Sequence, residues 1–145
     1  MDNIKTAIET KKCVLIIDST QPTGIIANTA SVLSISLGRQ VGNIVGQDVY
    51  DKQGEKHLGI TQMPIPILGA SPERIKEIRR HLLSLHIEDM VIVDFSDIAQ
   101  KSKTYQHYET VLLATDETDI CYIGIAVYGD KKSINKATGN LSLIR

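Results

Sequence analysis

Three short runs of mainly apolar residues divide the chain. They span residues 13–17, 90–95 and 120–128, and all three are rich in β-branched side chains. Runs of this length and composition predict strands that are buried on both faces of a sheet. Segments with apolar residues at helical spacing lie between the runs. This alternation predicts an α/β architecture with helices on both faces of the sheet.

The helix after the first run is predicted to begin at Thr23, which can cap it, and to end at Gly38. Its apolar stripe consists of Ile26, Ala30, Leu33 and Leu37. No residue between Ser19 and Leu37 is ionisable, whereas a surface helix normally carries charge on its outer side. We therefore expect a second buried face, against another element or another subunit, and predict a homodimer.

Capping and turn residues place the next elements. Ser71 is the predicted N-cap of a second helix, with Pro72 at its first position. The buried stripe of this helix is predicted to be Ile75, Ile78, Leu82 and Leu85. The turn signal at residues 51–54 predicts a hairpin, and two prolines place residues 63–68 at an edge or at the start of a strand.

The rest of the chain completes a single domain spanning residues 1–145. Residues 96–113 and 131–138 are predicted to be helical, and residues 141–144 are predicted to add a final strand. Residues 1–11 are predicted to form a short cap or a frayed end.

Composition narrows the function classes. The formal net charge of −1 gives no global attraction to nucleic acid or to an anionic membrane, and no apolar run approaches membrane-spanning length. The polar N-terminus is no signal peptide, so we predict a cytoplasmic location. Cys13 and Cys121 fall in predicted strands and are expected to be buried thiols. Neither the cysteines nor the histidines have metal-ligand spacing, so no metal and no cofactor are predicted.

Two carboxylates, Asp18 and Asp94, follow buried strands. Ligands of open α/β sheets bind beyond the carboxyl ends of the strands. A carboxylate at that edge can act as a general base if it is desolvated, or it can cap a turn through backbone amides. The sequence leaves both roles open for each residue.

A ligand site is predicted from the amino end of the first helix, whose unpaired N–H groups and dipole favour a small polar or anionic ligand. The ligand would lie between this helix end, Asp94 and the basic C-terminal segment, with two tyrosines closing the site. The assigned ligand-binding residues are Thr23, Gly24, Asn28, Tyr105, Tyr108, Lys132, Asn135 and Lys136, and Asp94 is the candidate catalytic residue. Simple packing of the tyrosines and solvation of the lysines stay open as alternatives.

Several stretches carry a resemblance to a known family. They are residues 12–18, 22–30, 59–69, 93–95, 104–108 and 129–145, including Pro22-Thr23-Gly24 and Val93-Asp94-Phe95. Together they resemble an uncharacterised bacterial family, the domain of unknown function number 2000. The resemblance covers nearly the whole chain. It implies a fold like that of type-two peptidyl-tRNA hydrolases, with a mixed, roughly four-stranded sheet covered by helices, while the family itself has no established activity.

The hydrolase resemblance is partial at the site. Those enzymes begin the first helix with Gly-Lys, where this chain has Gly24 and Ile25. They follow a later strand with Asp-Ala-Gly, where this chain has Asp94, Phe95 and Ser96. The missing lysine removes a cation that could hold a phosphate or polarise a carbonyl. The resemblance therefore implies the fold more strongly than the activity.

Three functional hypotheses result. The first is a protein that binds a small polar or anionic ligand at the carboxyl edge of the sheet. The second is a hydrolase of an ester or amide bond, related to peptidyl-tRNA cleavage, in which Asp94 activates water and helix-end amides stabilise the oxyanion. The third is a structural or regulatory dimer. Ile25 favours the first and third. A basic surface for nucleic acid is missing, although tRNA is not excluded as a partner.

Overall fold

The computed structural model describes residues 9–145, so most of the predicted N-terminal cap at residues 1–11 lies outside the described residues. The strands are β1 (Lys11–Asp18), β2 (Val49–Tyr50), β3 (Lys56–His57), β4 (Ile67–Ala70), β5 (Val91–Ser96) and β6 (Tyr122–Asp130). The helices are α1 (Thr23–Gln40), α2 (Pro72–Ser84), α3 (Asp97–Lys101), α4 (Tyr105–Leu113) and α5 (Lys131–Thr138), with a 3₁₀ turn at Glu117–Asp119.

The main sheet is mixed and four-stranded, in the order β4-β1-β6-β5. β1 pairs parallel with β4 and antiparallel with β6, and β6 pairs antiparallel with β5. The strands β1, β4 and β5 therefore have their carboxyl ends at the same end of the sheet, whereas the carboxyl end of β6 lies at the opposite end. The predicted α/β architecture with a mixed sheet is confirmed.

Two apolar layers enclose the sheet. On one face, α1 packs with Leu33 and Leu37 against Leu15 and Ile17 of β1. On the other face, α2 and α5 pack against Ile16 and its neighbours, which include Ile75, Ile78, Leu82, Ile125 and Ile134. Alternating side chains of each strand thus serve opposite layers, as the pleat requires. The helices that cover both faces follow from these two apolar sets.

The structure corrects several predicted boundaries. Residues 96–113 form two helices, because Ser96 caps α3 and Thr104 caps α4. Residues 141–144 make only one isolated bridge, between Leu68 and Leu143, and not a full strand. Leu85 lies outside the buried stripe of α2, because the helix ends at Ser84.

Two turn predictions are confirmed. The β2–β3 hairpin turns at residues 51–54, where Asp51 Oδ1 accepts hydrogen bonds from the N–H groups of Gln53 and Glu55, and Gly54 has a φ of 85°. The proline-containing segment leads into β4, which is the first strand of the sheet order and therefore an edge strand. Proline is tolerated there because an edge position does not need every backbone donor.

The two cysteines lie in different environments. Cys13 is buried in the α1 layer, and burial raises the pKa of its thiol to about 11. Cys121 is exposed, so the expectation that both thiols are buried is wrong for this residue. Cys121 precedes the strand instead of lying within it, because β6 begins at Tyr122.

Helix α1 has one buried face and one exposed face in this structure. Thr29, Leu33 and Leu37 are its fully buried residues. Val32 and Ile35 are 37% and 77% exposed. The expected second buried face is therefore not formed against any described element of the same chain.

Helix α1 approaches the sheet closely at Gly124 of β6. A Cβ atom at this position would lie 2.9 Å from Thr29 Cγ2 and 3.2 Å from the carbonyl oxygen of Ile16. The glycine therefore allows the helix to pack directly on the strand.

We expect Gly124→Ala to lower the free energy of unfolding by about 1–3 kcal/mol, because the added methyl group overpacks the core. Thr29→Ser removes the methyl group that lies nearest, so it should recover part of this loss when the two changes are combined. Urea unfolding of the two single variants and the double variant measures the coupling. Strictly additive effects would show that the contact with Thr29 is not the cause.

Candidate functional site

A cavity of about 740 Å³ runs along the outer side of β5. Its floor is the six successive residues Met90–Phe95. One wall is a stripe of α1 formed by Val32, Ser36 and Gln40, and the other is the segment from Ser102 to Tyr108. Because residues from both pleat faces of β5 line the same space, the cavity follows the free edge of this strand. We call it the β5 cleft.

The two sides of the β5 cleft differ in chemistry because β5 side chains alternate. Val91 and Val93 pack with the α1 layer, whereas Ile92 packs with the α2 layer. Asp94 continues the α2-facing series, so it places a carboxylate where the pattern would otherwise supply another apolar side chain. The α1 side of the cleft therefore combines valines with the polar Ser36 and Gln40, and the other side carries the carboxylate of Asp94.

Asp94 is the central polar group of the cleft. Its side chain is 27% exposed, and its Oδ2 lies 3.6 Å from Nη2 of Arg79. Among residues 9–145, no donor hydrogen-bonds to the Asp94 carboxylate. Half-buried carboxylates normally accept hydrogen bonds, so the free oxygens can accept them from a ligand or from water. This partly exposed carboxylate, which accepts no hydrogen bond from the described residues, marks the cleft as a candidate site.

Arg79 stands behind Asp94 and is held on three sides. Its guanidinium lies over the ring of Tyr122, 5.0 Å from the ring centroid, and its Nη1 lies 3.9 Å from Glu117 Oε1. Tyr122 donates a hydrogen bond of 3.4 Å to the same Glu117 oxygen. The Nε of Arg79 is buried and has no hydrogen-bond partner among the described residues. These contacts fix the cation that accompanies the cleft carboxylate.

Burial raises the pKa of Asp94, and the nearby Arg79 charge lowers it by a smaller amount. Raised pKa values in a cleft mark candidates for acid–base chemistry, although structural carboxylates show them too. The arrangement thus supplies a carboxylate that takes up a proton more readily than an exposed aspartate does.

This shift predicts a pH dependence of stability. Above the ordinary aspartate pKa of about 4, the unfolded chain has already lost the proton that the native Asp94 still holds. Stability attributable to Asp94 is therefore present at low pH and is lost as the pH rises through the raised native pKa. We expect wild type to lose unfolding free energy relative to Asp94→Asn over that window, measured by urea unfolding. An unchanged difference, or one that moves in favour of wild type, would contradict the pKa shift.

The tyrosines predicted to close a site do line the β5 cleft. Tyr105 and Tyr108 pack edge to face, with ring centroids 5.5 Å apart. Thr104 caps α4 by accepting the N–H of His107 at 3.1 Å. Burial raises the pKa of Tyr108, and the charge of Asp94 adds to the increase. The Tyr108 hydroxyl therefore stays protonated and can donate a hydrogen bond.

Asp18 serves the turn between β1 and α1. Its buried carboxylate accepts hydrogen bonds from the N–H of Thr20 at 3.1 Å, the hydroxyl of Thr20 at 2.7 Å and Nε2 of Gln21 at 3.1 Å. It does not line the β5 cleft. Of the two roles left open by the sequence, the structure favours the turn role for Asp18.

The amino end of α1 does not reach the β5 cleft. Thr23, Gly24 and Asn28 are exposed, and none of them lines the cavity. The predicted N-cap role of Thr23 is wrong, because Pro22 occupies the cap position without a side-chain hydrogen bond.

The basic C-terminal segment lies at the other end of the sheet. Lys132, Asn135 and Lys136 belong to α5, which follows the carboxyl end of β6, and β6 ends opposite Lys11 at the start of β1. Asn135 accepts a hydrogen bond of 2.6 Å from Lys12. The predicted cleft that joins these residues with Asp94 and the α1 amino end therefore does not exist. The antiparallel direction of β6 separates them.

Sequence reasoning missed Arg79 and the α1 wall of the cleft. Arg79 lies four residues after the buried Ile75, on the edge of the apolar stripe of α2. That spacing could have identified it as half-buried. The sequence did not indicate that Val32 and Ser36 line a cleft, because an uncharged helix face does not show which element lies against it. No group of three or more metal-ligating side chains occurs in residues 9–145.

Comparisons with solved structures and curated proteins show what the chain is similar to. It is similar to the solved structure of a protein of unknown function, Atu0240 from Agrobacterium tumefaciens strain C58, with a TM-score of 0.83 and 18% sequence identity. The alignment covers 92% of this chain and 97% of that one. At this identity the likeness shows the fold alone. No curated protein matches the chain.

The family comparison covers nearly the same span. The sequence profile of the DUF2000 family, described as proteins of unknown function, matches residues 11–145. The resemblance to type-two peptidyl-tRNA hydrolases is not shown by these comparisons and stays a prediction. None of the helices among the described residues has the length and apolar character needed to cross a membrane. The chain belongs to the DUF2000 family.

Proposed function

We propose that this protein binds a polar ligand in the β5 cleft, with Asp94 as the hydrogen-bond acceptor and Tyr108 as a donor. The observation that carries the proposal is the half-buried carboxylate of Asp94, which faces a cavity and has no hydrogen-bond donor among residues 9–145. The volume of about 740 Å³ falls within the range of about 300–1,000 Å³ common for ligand sites.

The charges of the cleft refine the ligand class. Asp94 contributes a carboxyl group to the floor of the cleft, and Lys103 contributes a cation to the wall formed by residues 102–108. The basic residues of α5, on which an anionic ligand was predicted, lie at the other end of the sheet. A ligand that presents N–H or O–H donors to Asp94 fits this arrangement better than a simple anion. A cytoplasmic location stays part of the proposal.

Isothermal titration calorimetry with a panel of polar metabolites tests the proposal. We expect Asp94→Asn to weaken the binding of any hit by about 10- to 100-fold, because a hydrogen bond to a charged acceptor contributes about 1.5–3 kcal/mol. Glu109→Gln on the exposed side of α4 is the matched control, and it should leave the affinity unchanged. Hits with equal affinity for wild type and Asp94→Asn would contradict the proposed site.

Hydrolysis is the second candidate, and the raised pKa of Asp94 is the observation that favours it. The carboxylate would accept a proton from water as it attacks an ester or amide carbonyl. Among the substrates, peptidyl-tRNA is the one to assay first. Loss of a general base costs about 10²–10⁴ in rate, so Asp94→Ala should be nearly inactive if the wild type turns the substrate over. Turnover retained in that variant would exclude Asp94 as the base.

A dimer formed through α1 is the third candidate. The exposed side of this helix carries Val32 and Ile35, and no charge occurs between Ser19 and Leu37. An exposed apolar face of this kind is common at subunit interfaces. Sedimentation at several concentrations would show a dimer mass, and a constant monomer mass would refute it.

A further inference from the structure

We propose that the ligand of the β5 cleft is a segment of extended polypeptide that pairs with β5 as an additional strand. This inference rests on the proposed function, because it names the class of ligand that the same cleft takes. It goes further in assigning most of the binding to the backbone of β5.

The backbone of β5 has an unpaired side. β5 is the last strand in the sheet order and pairs only with β6. Among residues 9–145, no hydrogen bond joins the backbone of residues 91–95 to any other element. In an antiparallel pair, alternate residues direct both N–H and C=O groups away from the partner. β5 therefore presents donors and acceptors in a regular series to the cleft.

The two edges of the sheet are treated differently. At the β4 edge, the C-terminal segment of the chain supplies an extended cover, in which Gly69 N–H donates to the Ser142 carbonyl and Ile144 N–H donates to the Ile67 carbonyl, each at 2.9 Å. At the β5 edge no segment within residues 9–145 supplies such a cover. β5 contains no lysine or proline, its charged side chain is Asp94, and its register shift lies at the end of the strand, between Phe95 and Ser96. The open edge is thus suited to an extended segment from another molecule.

The walls of the cleft favour a single extended segment as the ligand, in preference to a second copy of this chain. α1 stands along one side of the edge and residues 102–108 stand along the other. The edge lies at the bottom of the space between them. A second β5 would be recessed between the same walls, so two copies could not bring these edges together. A single extended segment can enter the space, and strand addition of this kind is a common mode of peptide recognition.

The cleft also predicts the pattern of the peptide. Side chains on one face of an added strand would meet Val32 and Val93, and those on the other face would meet Asp94 and Tyr108. Since side chains of a strand alternate, the favoured segment alternates apolar residues with residues that carry N–H or O–H donors. With six residues, β5 offers a length of about 20 Å for pairing.

Selection from a phage-displayed library of random heptapeptides tests the inference. Wild-type protein is the target, and the selected peptides are then compared on Val32→Trp, in which the indole is expected to fill the cleft. Ile35→Trp is the matched control, since it lies one turn along the same helix, is 77% exposed and does not line the cleft. We expect selected peptides, synthesised with blocked ends, to bind wild type and Ile35→Trp equally and Val32→Trp at least about tenfold more weakly. Circular dichroism and thermal melts establish that both variants are folded.

A series of backbone N-methylated peptides then examines strand pairing directly. Methylation at every second residue removes the N–H groups that face β5, and each is expected to cost about three- to tenfold in affinity. Methylation at the intervening residues faces solvent and should have little effect. Equal sensitivity at all positions would overturn the inference, because a peptide held by side chains alone has no period of two in its backbone.

The outcomes separate this inference from the proposed function. If no peptide discriminates against Val32→Trp, but polar metabolites bind and depend on Asp94, the peptide inference fails and the ligand site stands. If neither peptides nor metabolites bind at the cleft, both fail. A dimer mass that Val32→Trp abolishes would overturn the inference in favour of a second copy.

Discussion

Arg79→Met is expected to destabilise the protein by about 2 kcal/mol and to raise the pKa of Asp94 further. The variant leaves a half-buried carboxylate without its cation, and it removes the guanidinium from the ring of Tyr122. Breaking a fully buried pair costs about 3–5 kcal/mol, and the partial exposure of both partners reduces that figure. Chemical denaturation gives the free energy, and a carbon-detected NMR titration of the Asp94 carboxyl gives the pKa.

Arg80→Met is the matched control for this change. Arg80 is the next residue of α2 and pairs with Glu117 at 2.6 Å, but its side chain is 59% exposed. Exposed ion pairs contribute about 0–1 kcal/mol, so the variant should be nearly as stable as wild type and leave the Asp94 pKa unchanged. In an Asp94→Asn background, Arg79→Met should cost less than it does alone. Equal costs in both backgrounds would show that Arg79 does not act through Asp94.

Leu33→Ala is expected to destabilise the protein by about 2–5 kcal/mol, whereas Ile35→Ala should change the stability by less than about 0.5 kcal/mol. Both residues belong to the uncharged helix α1, but Leu33 is fully buried and Ile35 is 77% exposed. Thermal melts over a range of protein concentrations measure both effects and also report on association.

The same pair of variants decides whether α1 has one packed face or two. In a monomer, the exposed side of α1 contributes little, and the melting temperature does not depend on concentration. In a dimer formed through this face, Ile35→Ala would lower the melting temperature and weaken its dependence on concentration. The latter result would establish the subunit interface that the composition of α1 predicts.

The fold could be predicted because its signals are local. The apolar runs of β1, β5 and β6 are long enough to mark strands, and Ser71-Pro72 marks the start of α2. The division of residues 96–113 into α3 and α4 was missed, although Thr104 is a capping residue followed by helix-forming residues. A capping residue inside a helical pattern can either begin a new helix or lie within a continuous one. The sequence pattern alone does not distinguish these two outcomes.

The site could be predicted only in part, because it depends on strand direction and order. Asp94 and Tyr108 line the same cleft, since β5, α3 and α4 are consecutive in the chain. Lys136 was placed beside them in error, because the antiparallel direction of β6 carries α5 to the opposite end of the sheet. Val32 lines the cleft because α1 lies along the β5 edge. This packing is a tertiary feature, which the local sequence pattern does not predict.

Membership of the DUF2000 family explains why the fold is clear while the reaction is open. The similarity to Atu0240 covers 92% of the chain, and both the family and that protein are described only as having unknown function. A shared scaffold does not by itself imply a shared activity. The proposed function therefore rests on the β5 cleft and the carboxylate of Asp94.

The most direct test is to map binding on the ¹⁵N-labelled protein by NMR with a library of small polar fragments. We expect the perturbed amides to belong to residues 90–95, residues 102–108 and the Val32–Gln40 side of α1, and we expect Asp94→Asn to reduce the perturbation. Perturbations confined to the amino end of α1 or to α5, or an unaltered response in Asp94→Asn, would contradict the assignment of the β5 cleft as the ligand site.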